Sequence, residues 1–306
     1  MVLLFFWRGE IMTKKTACLF LSFVLTVLLC GQAFSYEKPS GANVLAPQAS
    51  GSETDSQGGV TLDSSNKNQG YIMIRYKGGN DKIKVQITKG TTYTYDLPNN
   101  GEYNTFPLSE GSGTYTIKVF EHVSGTSYSQ AFSKTITISL VNSFIGFLYP
   151  NQYCNFNANS AATQISAQIT SGIGDEFEVV KKVFYYVIEN IGYDNNEAAT
   201  VQSGYIPDVD SVLARRGGIC FDYAAVMTAM LRSQNVPTKL VIGYTGSIYH
   251  AWVSVYLDNS GWVDAIYFDR TNWSLMDPTF ASSNNNSAAI QDYIKNPGNY
   301  QAKYCY

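Results

Sequence analysis

A cysteine that opens an apolar helical stretch and a histidine in a strand-like run downstream give this sequence the parts of a nucleophilic pair. Cys220 follows Gly217, Gly218 and Ile219 in GGICFDYAAVMTAMLR, and His250 stands in YHAWVSVYL. A thiol attacks as its thiolate, and a free thiol with a pKa of about 8.5 is mostly protonated at neutral pH, so it needs an electropositive setting. A helix N-terminus offers one through its unpaired N–H groups and its dipole. A nearby imidazolium offers another. The two glycines suit a tight turn into such a helix. The histidines are His122 and His250. His122 falls in a separate β-rich stretch, which leaves His250 as the base of any Cys–His pair.

The imidazole of such a pair must be held in one tautomer and orientation, and a carboxylate on its far nitrogen does this. Asp277, in the apolar run WSLMDPTF, is the expected third member. Asp264, alternating with Trp262 in GWVDAI, and Asp269, beside Arg270, compete and read as solvated or ion-paired. Trp252 shares the face of His250 in a strand, where it either shields the site from water or packs inside.

Taken singly, each residue has an ordinary reading: a buried thiol, a hydrogen-bonded strand histidine, an Asp-Pro turn. Taken jointly, in this order and with these neighbours, they resemble the transglutaminase-like superfamily of papain-like thiol enzymes across residues 150–283. The resemblance implies an α+β papain-like catalytic domain with the cysteine heading a helix and the histidine and aspartate on adjacent strands. It also implies Cys220, His250 and Asp277 as the catalytic triad and a protein or peptide as substrate. The first expectation for the reaction is acyl transfer at glutamine carboxamides through a cysteine thioester, giving a crosslink with an amine and deamidation with water. A cysteine peptidase or amidase of the same superfamily is the alternative. A non-enzymatic surface adhesion or scaffold protein is the second alternative, and a missing triad member would favour it. An oxyanion hole needs a donor besides the Cys220 N–H. Gln202 and Tyr205 are candidates, with surface loop as their ordinary reading. No cofactor or metal is expected, since no Asp spacing reproduces a calcium loop.

These groups must be positioned by helices followed by strands. Ile165 and Ile169 mark a helix within Ser160 to Thr170, and Phe177, Val180, Phe184, Ile188 and Ile191 mark another from Asp175 to Ile191. Asp210 is the expected cap of a short helix ending at Gly217. LVIGY, HAWVSVYL and GWVDAI read as strands after the Cys220 helix. The catalytic domain is assigned to 144–283. Residues 284–306 form a C-terminal tail with a short helix around Ile290 to Lys295, packed back through Tyr300, Tyr304 and Tyr306.

Upstream, period-two runs such as KIKVQIT, TTYTYDL and GTYTIKVF alternate with Gly- and Asn-rich turns. They predict a small all-β, immunoglobulin-like sandwich over 70–143. It reads first as a spacer, with a cell-wall or surface polymer as a possible ligand. Residues 36–69, rich in Ser, Gly, Asn and Gln, read as a flexible tether. Residues 1–35 read as a signal peptide: Lys14 and Lys15 precede the apolar run Ala17 to Leu29, and Gly31, Ala33 and Ser35 follow. Met12 is the favoured start, and bulky Leu29 speaks against lipidation of Cys30. The chain is therefore expected to be secreted, with association at the cell surface left open, and with no membrane span after cleavage. The low charged fraction of 15% and the 23 tyrosines suit an extracellular β-rich protein, and a net charge of −3 gives no footprint for nucleic acid. After cleavage Cys154, Cys220 and Cys305 remain. Either Cys154 pairs with Cys305 and leaves Cys220 as the reactive thiol, or all three are thiols.

Overall fold

The computed structural model describes residues 44–258, 260–264, 267–269, 272–274, 278–282 and 297–306. The signal segment, Asp277 and the short helix expected near 290–295 lie outside these residues.

The N-terminal part is all β. One antiparallel sheet contains β1 (Thr54–Gln57), β2 (Val60–Asp63), β3 (Tyr71–Tyr76) and β6 (Asn104–Pro107), in the order β1-β2-β3-β6. The other contains β4 (Ile83–Thr88), β5 (Thr92–Leu97), β7 (Gly113–Ser124) and β8 (Ser127–Ile138), in the order β5-β4-β7-β8. Alternation sets which face is buried. Ile83, Val85 and Ile87 of β4, Tyr93, Tyr95 and Leu97 of β5, and Tyr115, Ile117 and Val119 of β7 all point into the core. Lys84, Gln86, Thr94 and Asp96 point outward.

The tether expected over 36–69 is corrected where the structure describes it. Residues 54–63 form β1 and β2, with Val60 and Leu62 in the core. Asp63 fixes the preceding loop by accepting from Gly51 N–H at 2.8 Å and Ser65 N–H at 2.9 Å. Polar composition hid this hairpin because β1 is an edge strand with little to bury.

The C-terminal part is mixed α and β. Its helices are α1 (Ala161–Ile169), α2 (Glu176–Asn190), α3 (Asn195–Thr200), α4 (Val209–Arg215) and α5 (Cys220–Arg232). Asp175 caps α2, accepting from Phe177 and Glu178 N–H at 2.8 and 3.1 Å. The buried stripe of α2 is Val179, Val180, Val183, Phe184 and Val187, rotated slightly from the one expected. The cap of α4 is Asp208, accepting from Ser211 N–H at 3.1 Å. Asp210 instead accepts from Ala162 N–H, at 3.2 Å, and so ties α4 to the first turn of α1. From Asp222 to Arg232 every residue of α5 is buried. A helix apolar on all sides belongs at the centre of a domain, and α5 packs against α1, α2, α4 and the sheet that follows.

That sheet has the order β13-β12-β11-β16, from β11 (Thr238–Thr245), β12 (Ile248–Leu257), β13 (Gly261–Asp264) and β16 (Tyr300–Cys305). The tail thus adds a strand beside β11. Gly243 allows this: a Cβ there would lie 2.0 Å from Gln301 O and 2.9 Å from Trp252 Cη2. Short β9 (Gly192–Tyr193) and β10 (Gly217–Gly218) pair in parallel, β14 (Tyr267–Asp269) and β15 (Asn272–Ser274) form a hairpin, and α6 (Pro278–Ser282) packs on α2 and α5.

The sandwich shares one hydrophobic core with the mixed part. Tyr95 sits 5.8 Å from both Tyr153 and Tyr306, ring centre to ring centre. Gln152 Nε2 donates to Asp96 O at 2.7 Å, and Cys305 N–H donates to Tyr93 Oη at 3.4 Å. Among the described residues no helix is long and apolar enough to cross a membrane.

Candidate active site

Cys220 occupies the first turn of α5, as its position after two glycines predicts. The turn is built by Asp222, which the sequence reading passed over. Its carboxylate is fully buried, and Oδ2 accepts from the N–H of Ile219, the residue that caps the helix, at 2.9 Å. Oδ1 accepts from Tyr205 Oη at 2.6 Å, and Arg215 Nη2 lies 3.4 Å from Oδ2. Burial dominates its titration and raises its pKa above the ordinary aspartate value. Gly218 makes room for this carboxylate, since a Cβ there would lie 2.6 Å from Asp222 Cβ and 2.8 Å from Oδ2. Gly218 therefore serves the acid two residues beyond the thiol.

His250 lies on β12, opposite Gly243 of β11, and is buried. Trp252 stacks beside it at 6.3 Å with the rings 22° apart, and is itself buried against Tyr300 at 5.2 Å. The strand periodicity that put the two rings on one face is observed, and the indole packs inside.

Cys220 and His250 line one cavity of about 870 Å³. Its other walls are the segment 201–206, the tip of the β11–β12 hairpin and the outward face of the β5-β4-β7-β8 sheet. Ile248 and Tyr249 at the hairpin tip are 61% and 55% exposed, which leaves apolar surface open beside the thiol. Burial also shifts the surrounding phenols: Tyr153 is pushed up to about 12, and Tyr249 is raised. These hydroxyls stay protonated across the physiological range and remain hydrogen-bond donors.

Gln202 and Tyr205 both border the cavity. Tyr205 Oη donates its hydrogen bond to Asp222 Oδ1, and Gln202 Nε2 donates to Thr200 O at 2.7 Å. Tyr205 is thus committed elsewhere, while Gln202 keeps one amide N–H beyond its bond to Thr200 O. The backbone of β13 places Asp264 opposite Ser254, and Asp269 falls in β14. Asp277 immediately precedes α6 in sequence but lies outside the described residues. Cys154 and Cys305 are thiols, with no disulfide between them. Cys154 instead lies 3.1 Å from Arg232 Nη1, and burial raises its pKa.

Residues 163–278 match the model of the transglutaminase-like superfamily, so the chain carries a transglutaminase-like domain over that segment. The chain is 30% identical over 118 residues to YebA of Bacillus subtilis, itself uncharacterised. That match covers 32% of this chain and 16% of the relative, so the chain spans about a sixth of that protein's length. Among solved structures, a protein from Cytophaga hutchinsonii described as a candidate cysteine protease aligns over 77% of this chain and 83% of its own, at 13% identity and a TM-score of 0.38. The periplasmic domain of TgpA from Pseudomonas aeruginosa aligns over 81% of each chain, at 15% identity and a TM-score of 0.35.

Proposed function

We propose that the protein is a secreted thiol enzyme that transfers acyl groups from glutamine carboxamides of proteins or peptides. The observation that carries this reading is the shared cavity: a cysteine at the N-terminus of α5 and the buried histidine of β12 both open onto it. Cys220 Sγ, as thiolate, adds to the carboxamide carbon, and the carbonyl oxygen takes the charge. The Cys220 N–H at the helix start is the first donor to that oxyanion. His250 gives a proton to the departing nitrogen, the C–N bond breaks, ammonia leaves and a thioester remains. An amine then attacks the thioester carbon, losing its proton to His250, and the C–S bond breaks to release the crosslinked product. Water in place of the amine gives deamidation. Asp277 holds the imidazole through its far nitrogen. The N-terminal segment exports the chain, and the sandwich keeps the cleft facing its substrate at or near the cell surface.

Incubating the protein with a glutamine-bearing peptide and a labelled primary amine, with ammonia and backbone cleavage followed by mass spectrometry, tests the reaction class. Amine incorporation or ammonia release that disappears with Cys220→Ser is expected. Backbone cleavage without either product would replace transfer by peptidase chemistry.

A further inference from the structure

We propose that the outward face of the β5-β4-β7-β8 sheet is a wall of the substrate cleft, and that Lys82 on it selects peptide substrates carrying a carboxylate beside the reacting group. The inference rests on the acyl-transfer reading for what happens at Cys220, but it concerns binding.

The cavity that holds Cys220 and His250 is bordered on the sandwich side by Lys82, Lys84, Thr94, Asp96 and Tyr128. These residues come from three strands and the turn before β4, so one end of the sheet face borders the cleft rather than one stray loop. The face is fixed in place. The reverse side of β5 contributes Tyr93 and Tyr95 to the packing against Tyr306, and Asp96 O accepts from Gln152 of the connecting segment. A wall held by shared core rather than by a linker keeps its charges at a set distance from the thiol.

Those charges do not cancel. Lys84 Nζ lies 2.6 Å from Asp96 Oδ1, directly across the β4–β5 ladder, and the pair neutralises itself. Lys82 is exposed, and its ammonium makes no ion pair or hydrogen bond with any described residue. Its backbone is nevertheless anchored, with its N–H donating to Asn80 Oδ1 at 3.0 Å and its C=O accepting from His122 N–H at 3.0 Å. The sandwich wall therefore presents one uncompensated cation on a rigid base, facing a site whose own groups are a thiol and an imidazole. A peptide carboxylate flanking the reacting residue is the chemistry that fits it.

The test uses binding, so that it stands apart from turnover. Fluorescein-labelled peptides with a central glutamine, and Asp or Asn at each of the three positions on either side, are titrated into full-length Cys220→Ser protein at low salt. At one or two positions the Asp peptide is expected to bind about two- to fivefold tighter than its Asn counterpart, the range of an exposed ion pair. The preference is expected to fade as salt rises, to vanish with Lys82→Ala and to reverse with Lys82→Glu. Lys118→Glu, on the neighbouring strand but off the cleft, controls for net charge and is expected to leave the preference intact. Equal binding of every Asp and Asn pair, or a preference that survives Lys82→Glu, overturns the proposal. A binding preference without turnover by the wild-type protein would instead count against acyl transfer and leave the wall in place.

Discussion

Replacing Gly218 by alanine probes how the thiol is positioned without touching it. The new methyl would lie 2.6 Å from Asp222 Cβ and 2.8 Å from Oδ2, and the nearer atom is the root of a side chain, not a flexible end. Either the first turn of α5 moves or the carboxylate swings away and releases Ile219 N–H, now 2.9 Å away. A hydrogen bond to a charged group contributes about 1.5–3 kcal/mol, and overpacking a tight site costs about 1–3 kcal/mol. The lower entropy of the unfolded alanine chain offsets about 0.4–1 kcal/mol of this. A net loss of about 1–2.5 kcal/mol in urea unfolding is expected, together with slower alkylation of Cys220 in the folded protein. Gly79→Ala is the control, because a Cβ there meets nothing within 4 Å, and it should change stability by less than about 0.5 kcal/mol. A Gly218→Ala protein as stable as Gly79→Ala and alkylated at the wild-type rate would refute the role assigned to the Asp222 cap.

Asp222 makes a pH prediction. Its folded pKa is raised, chiefly by burial, so its favourable contribution is present below the unfolded value and is lost as pH rises through the folded one. Thermal melts from pH 3.5 to 7 should therefore show wild type losing ground to Asp222→Asn as pH rises; the opposite trend would mean that the bonds from Tyr205, Ile219 and Arg215 outweigh burial. Arg232, fully buried at the end of α5, donates to Tyr149 O, Thr238 O and Tyr306 O at 2.5 to 2.8 Å. Arg232→Met removes these buried bonds, leaving Tyr306 O only its bond from Leu240 N–H, and should cost about 3–5 kcal/mol, lowering the melting temperature by about 10 °C; a shift under about 2 °C would contradict it.

The thiol and the imidazole were legible because each sits in local text that carries its own placement: a glycine pair before an apolar helix, and an alternating strand with Trp252 in register. Asp222 was hidden because the residue it caps is Ile219, not the serine or threonine that usually announces such a cap. Its only trace was Gly218, which the turn into the helix already explained. Asp208 was missed in favour of Asp210 because both acids stand at the start of the same short helix, and only backbone geometry separates the cap from the first turn. The β1–β2 hairpin was unreadable from composition, since an edge strand such as TDSQ buries almost nothing. The sandwich wall was beyond any local pattern: Lys82, Lys84 and Asp96 look like solvated strand residues until the fold turns their face toward Cys220.

The central claim is that Cys220 is activated by His250, and the rate of Cys220 alkylation by iodoacetamide at pH 6 tests it most directly. Peptide mapping separates Cys220 from Cys154 and Cys305. The wild-type thiol should react much faster than the same cysteine in urea-unfolded protein, and His250→Ala, checked for an intact fold, should remove most of that advantage. Equal rates for folded and unfolded wild type, or an undiminished rate in His250→Ala, would contradict the account.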